Sequence, residues 1–321
     1  MKRALSLTLA ALIWAGSALA QDDLLNDLKS EDAAKVKENI AAATFKSTRI
    51  INMHSVEMTG KGNLQFMIIH HFGPLWEDTK VAGGDLGHNL GRFFGMNGNL
   101  ANIYMAFDYA PARWLNLGMA FAGQGNLEGT AKFKLLRQQT GQRNIPVSVA
   151  FLSVANFNTS KNVESPNGLY WNRFSYMQQL LVARKFSENF SVQLNGAMIH
   201  RNIIAYGFEN QHNTWSAGVG LRYKLTAKRA LSFEFNRQLN MYANVVDKGG
   251  NIVNYGPNLF SFGYDWDTGG HIFQFFVTNS GYASNLAQLS QNPVKDGFGQ
   301  WCLGFNLNRS YTIKHTVKMN K

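Results

Sequence analysis

The sequence predicts an all-β fold: a closed, antiparallel, up-and-down transmembrane β-barrel of about twelve strands, preceded by a short helical segment. Three observations predict it. Charged residues make up only 16% of the 321 residues, with 31 basic, 20 acidic and a formal charge of +11, whereas soluble domains average about 25%. Beyond the first twenty residues no apolar run reaches the roughly 18 residues that a spanning helix needs. From Asn63 onward the apolar residues recur with period two, in segments of about ten residues. A single cysteine, Cys302, excludes a disulfide framework or a thiolate zinc site, and 13% aromatics exclude a disordered chain.

Taken in order, residues 1–20 have the layout of a secretory signal peptide: Lys2 and Arg3, an apolar stretch, and a small-residue exit at Ala18-Leu19-Ala20. A membrane anchor would not end in that site and continue at once into Gln21-Asp22-Asp23. Residues 21–62 are expected to form an N-terminal periplasmic or plug segment. Leu24, Leu25, Leu28, Val36 and Ile40, spaced by three or four, make its part up to about Ala43 helical.

Residues 63–321 are expected to form the barrel. Strands should start near Asn63, Ala101, Leu115, Leu127, Pro146, Trp171, Phe190, Asn213, Ala230, Asn258, His271 and Gly299. Leu115, Leu117, Met119 and Phe121 oppose Asn116, Gly118 and Ala120; Leu231, Phe233 and Phe235 oppose Ser232, Glu234 and Asn236. A soluble sandwich also alternates, but its outer face is charged or strongly polar. Here the bulky face suits hydrocarbon, where only a closed sheet satisfies every backbone group.

The connections are tight after Tyr109, Phe186, Leu225 and Asp267, and long over 73–100, 156–170, 201–212, 240–257 and 280–298. Short turns at one end and long loops at the other are the habit of outer-membrane barrels. Only 123–145 breaks that rhythm. Prolines 74, 111, 166, 257 and 293 fall in the links and Pro146 opens a strand, as their missing N–H requires. An even strand count puts both termini on the periplasmic side of a Gram-negative cell outer membrane. Trp114, Trp171, Trp266 and Trp301 suit the interfacial girdles. The chain runs on through Tyr311 to Lys321 and does not stop on the aromatic residue with which many such barrels end.

The stretches His70-His71-Phe72-Gly73-Pro74, Phe93-Phe94-Gly95-Met96-Asn97-Gly98, Lys134-Leu135-Leu136-Arg137-Gln138, His271-Ile272-Phe273-Gln274 with Thr278-Asn279-Ser280, and Gly304-Phe305-Asn306 together resemble a Bacteroidetes family of β-barrels classified as a domain of unknown function. His71 stands where that pattern has Arg. The resemblance covers the chain from about Thr44 to the last strand. It implies an outer-membrane barrel and no established activity.

Few residues carry a recognisable chemistry. The Gly-rich link, with Gly83, Gly84, Asp85, His88 and Arg92, lacks the Gly-Lys-Ser/Thr ending of a phosphate-cradling loop, and reads as an outer loop or an inward-folding constriction. His70 and His71 point to opposite faces of one strand, and the other histidines lack helical pairing or Cys partners, so no metal or cofactor is expected. His212-Asn213-Thr214 lacks the third partner and oxyanion donor of a hydrolase, and Gly-x-Ser-x-Gly is absent, so no enzyme is expected. Lys132, Lys134, Arg222 and Lys224, with Asp108, Glu234 and Asp265, fall in the lumen phase. They would favour anions in a pore, or, at strand ends, would meet lipid phosphates and periplasmic water. Scattered basic residues and export argue against nucleic acid as a partner. Outer-membrane lipid is the expected partner, with small solutes if the barrel is a passive channel, or an exported protein if it is a non-conducting anchor; a lipid-modifying enzyme is the weakest alternative.

Overall fold

A computed structural model describes residues 39–41, 43–74, 102–123, 125–141, 143–160, 170–203, 212–240, 242–246, 252–255, 258–291 and 301–313. In chain order its strands are β1 (Asn39–Ile40), β2 (Asn63–Pro74), β3 (Asn102–Ala112), β4 (Leu115–Phe121), β5 (Asn126–Leu136), β6 (Gln139–Thr140), β7 (Ser148–Asn158), β8 (Phe174–Lys185), β9 (Phe190–Arg201), β10 (Asn213–Thr226), β11 (Arg229–Gln238), β12 (Tyr242–Val246), β13 (Ile252–Tyr255), β14 (Asn258–Asp267), β15 (Ile272–Thr278) and β16 (Cys302–Thr312). One helix, α1 (Asn285–Gln291), lies between β15 and β16.

Twelve of these strands close one antiparallel barrel, with β16 returning to pair β2 through Asn308↔Met67 and Asn306↔Ile69. Closure leaves no ladder edge open, as hydrocarbon demands. The wall is polar inside and apolar outside: Met119 is 61% exposed on the outer surface, whereas Gln179 and Gln193 are wholly buried within. Cross-strand aromatic pairs such as Phe233 with Phe262 and Phe235 with Phe260, ring centroids 5.0 Å apart, knit the outer face.

The strand starts depart from the sequence expectation by at most three residues, at β8 and β16. Pro74 and Pro111 lie inside strand ends and not in links. Both fall where the ladder shifts register, between Cys302 and Gly304 and between Tyr109 and Ala112, which is where a missing donor is tolerated.

Three expectations need correction. The helical reading of the N-terminal segment lies mostly outside the described residues, but its end is not helical: Asn39–Ile40 pair with Gln139–Thr140. That pairing explains why the 138–145 connection is longer than a tight turn. Two long links also carry structure. The link over 240–257 contains the β12–β13 ladder, and the link over 280–298 contains α1, capped by Ser284, whose Oγ accepts from Ala287 N. The turn after β14 is tight because Gly269 takes a positive φ of 90°.

Candidate functional site

The barrel interior is occupied from both ends. From the short-turn end, residues 44–57 rise into the lumen as a tight hairpin: Arg49 bridges His54, Ser55 N donates to Thr48 O at 2.9 Å, and Ile50 N donates to Met53 O at 2.9 Å. Ile50, Ile51, Met53 and Val56 are buried among wall residues. The tip needs glycine beneath it. A β-carbon at Gly220 would meet the Ile50 side chain, and one at Gly263 would come within 3.0 Å of Ile51 Cδ1.

The wall holds the backbone of this hairpin. At the tip the Glu234 carboxylate accepts from three consecutive amides, Ile51 N at 2.7 Å, Asn52 N at 3.1 Å and Met53 N at 2.8 Å. Gln274 Nε2 donates to Ile50 O at 2.6 Å and Asn306 Nδ2 to Ile51 O at 2.8 Å. Along the stem Lys132 Nζ donates to the carbonyls of Thr48, Ser55 and Glu57 at 3.2, 2.9 and 3.2 Å, and Lys134 Nζ to that of Val56 at 2.8 Å. Gln193 accepts from Val56 N at 2.8 Å and donates to His54 O at 2.7 Å. Buried charges persist only when hydrogen-bonded in this way, and the hairpin supplies backbone dipoles for both signs. Burial, and then the positive charges of Arg49 and Lys132, hold the His54 imidazole well below its ordinary pKa.

From the long-loop end, α1 packs against the inner wall of β9, β10 and β11. Leu286 and Leu289 pack on Leu152, Met177, Ile199 and Leu259 of the inner wall. The two inserts are connected. Arg49 Nη2 donates to Tyr104 Oη at 2.8 Å, the Tyr104 hydroxyl bonds Glu128, and Glu128 accepts from Ser284 Oγ at the cap of α1. His71 makes a second bridge, Nε2 with Asn52 Oδ1 at 3.0 Å and Nδ1 with Ser280 O at 2.9 Å.

All seven residues in the lumen phase lie on inward positions, and most serve the hairpin. Lys132, Lys134 and Glu234 grip it directly, and Asp108 accepts from Thr48 Oγ1 at 3.4 Å. Arg222 faces Asp265 at 3.2 Å, beside Gln274. Lys224 stands further down, outside this network. Gly83, Gly84, Asp85, His88 and Arg92 lie outside the described residues. The neutral partners Gln193, Gln274 and Asn306, the link Tyr104, and Glu128 were given no role by the sequence, and His71 was weighed there only as a metal ligand. Their only signal is a polar residue in the inward phase. Among the described residues no cluster of His, Cys, Asp and Glu has metal-holding geometry.

Comparison with known proteins gives a family. The model of a family described as "Membrane bound beta barrel domain", a domain of unknown function, matches residues 45–311, so the match takes in the hairpin as well as the wall. Among solved structures the NanC porin is similar at 6% identity and TM-score 0.44, over 78% of this chain and 100% of that one. An outer membrane channel from Pseudomonas putida F1 is similar at 12% identity and TM-score 0.48, over 80% and 98%. The KdgM porin follows at 7% and 0.42, over 78% and 99%. No curated protein matches the chain.

Proposed function

Because this chain belongs to that family of membrane-bound β-barrel domains, we propose that it is an outer-membrane channel for small solutes, held shut by the hairpin at residues 44–57. The observation that carries this reading is the chemistry of the hairpin's seat. A barrel filled for good packs its bore with its own side chains. Here Glu234, Lys132, Gln193, Gln274 and Asn306 bond a removable backbone, and water can satisfy the same groups once the hairpin leaves. The bore beneath the hairpin is therefore hydratable.

In this reading residues 1–20 direct export and are removed, and both termini lie in the periplasm of a Gram-negative cell, in keeping with the Bacteroidetes resemblance. Lipid surrounds the wall. The protein carries out no chemistry of its own. Swelling of proteoliposomes in small sugars tests the proposal. The full chain should admit solute slowly, and Gly220→Leu, which drives a side chain into the place of Ile50, should admit it at least about tenfold faster. A folded barrel that admits nothing in either form would instead support an anchor for an exported protein.

A further inference from the structure

The two inserts rest on seats of opposite quality. The wall groups that meet the hairpin tip are matched apart from Asn306 Oδ1, whereas beneath α1 a whole set of buried polar groups has no partner among the described residues. Both amide atoms of Gln179, of Gln238 and of Asn285 are unpaired, as are Ser216 Oγ and Asn195 Oδ1, and these residues are 0, 3, 1, 2 and 6% exposed. They are not scattered. Gln179, Ala197, Ser216 and Gln238 are consecutive register partners on the inner faces of β8, β9, β10 and β11, Asn195 lies one inward position below, and α1 packs over β9, β10 and β11 with Asn285 on its first turn.

Buried amides left unpaired are costly and rare in native folds, so a concentration of them in one row calls for a partner from outside the chain. The hairpin seat, with Asn306 Oδ1 its one unpaired atom at the tip, shows that the same wall can match an insert closely when only closure is required. We propose that the Gln179–Ser216–Gln238 row is a binding station for an uncharged, hydroxyl-rich solute such as a monosaccharide, covered by α1 in this state. This inference rests on the channel reading and adds the class of solute.

Three features select that class. Carboxamides and hydroxyls offer donors and acceptors together, which matches the dual character of a sugar hydroxyl. No charged side chain stands in the row, and the nearest charges are engaged: Glu128 by Ser284 and Tyr104, Arg201 with Ser290 O. The apolar patch of Leu152, Met177, Ile199 and Leu259, which receives Leu286 and Leu289 here, would take the C–H face of a ring. An ion would gain little from such a row.

The test compares glucose with gluconate, which has nearly the same hydroxyls but carries a charge. Uptake of each into proteoliposomes is measured against concentration, in the Gly220→Leu background and with Gln179→Leu and Gln238→Leu added. Glucose uptake should saturate and exceed gluconate uptake, and the added pair should abolish saturation and lower glucose entry at low concentration at least about fivefold. Removing unpaired amides should leave heat-modifiable migration intact and its transition no lower; a lower transition would mean the amides are structurally paired and would overturn the proposal. If both solutes enter in linear proportion to concentration, indifferent to the pair, the channel stands and the station fails. If neither enters with or without Gly220→Leu, the channel reading fails and the station with it.

Discussion

Glu234 and His54 carry opposite signs of the same electrostatic problem. The Glu234 carboxylate is held in the bore by three backbone amides that converge on it. In Glu234→Gln one oxygen still accepts but the charge and the second oxygen are lost. We expect a cost to hairpin seating of about 2 kcal/mol, read as roughly thirtyfold faster hydrogen exchange at Ile51, Asn52 and Met53. His54 is held neutral, by burial first and then by Arg49 and Lys132. Its ordinary pKa is about 6.5, so the seated hairpin is favoured fully above that value, and the advantage is lost as pH falls and the released imidazole takes a proton. Solute entry should therefore rise from pH 7 to pH 5, and His54→Gln should flatten that rise in the same swelling assay. At this scale the sequence was partly legible. Lys132, Lys134, Asp108, Glu234 and Asp265 stand out because a charge opposite Leu or Phe in a period-two segment must face inward. Gln193, Gln274 and Asn306 do not, since neutral amides are the ordinary lining of such a wall and nothing local marks which of them meets an insert.

The elements show the same division. β4, β10 and β14 alternate cleanly and were legible to the residue, because a one-residue slip would turn every side chain to the wrong medium. The hairpin was not. Thr48 to Val56 mixes Ile50, Ile51 and Met53 with polar residues too briefly for any period, and its partners lie up to 255 residues away, as from Asn306 to Ile51. The seven-residue α1 escaped for the same reason, its two leucines being too few to show a stripe. What joins these inserts is tertiary: the Arg49–Tyr104–Glu128–Ser284 chain and the His71 bridge. Loosening the hairpin by Glu234→Gln should therefore quicken amide exchange in α1 about fivefold. Adding Tyr104→Phe and His71→Leu should remove that response, whereas a purely local effect of Glu234 would leave α1 unchanged from the start.

For the whole molecule, the decisive feature is a fold turned inside out relative to a soluble protein, with Leu194, Leu231, Phe262 and Phe275 outward and Gln193, Ser232, Ser261 and Gln274 within. Leu194→Arg, on the outer face near the middle of β9, should destabilise the barrel by about 2–4 kcal/mol, seen as a lower transition in heat-modifiable migration from lipid. In the proposed function this shell is a bore closed by its own N-terminal hairpin. Single-channel current in planar bilayers tests that claim most directly, with the full chain compared against one lacking residues 44–57. The full chain should be mostly silent and the shortened chain should conduct in discrete, sustained steps; equal silence from a correctly folded shortened barrel, or equal current from both, would contradict it.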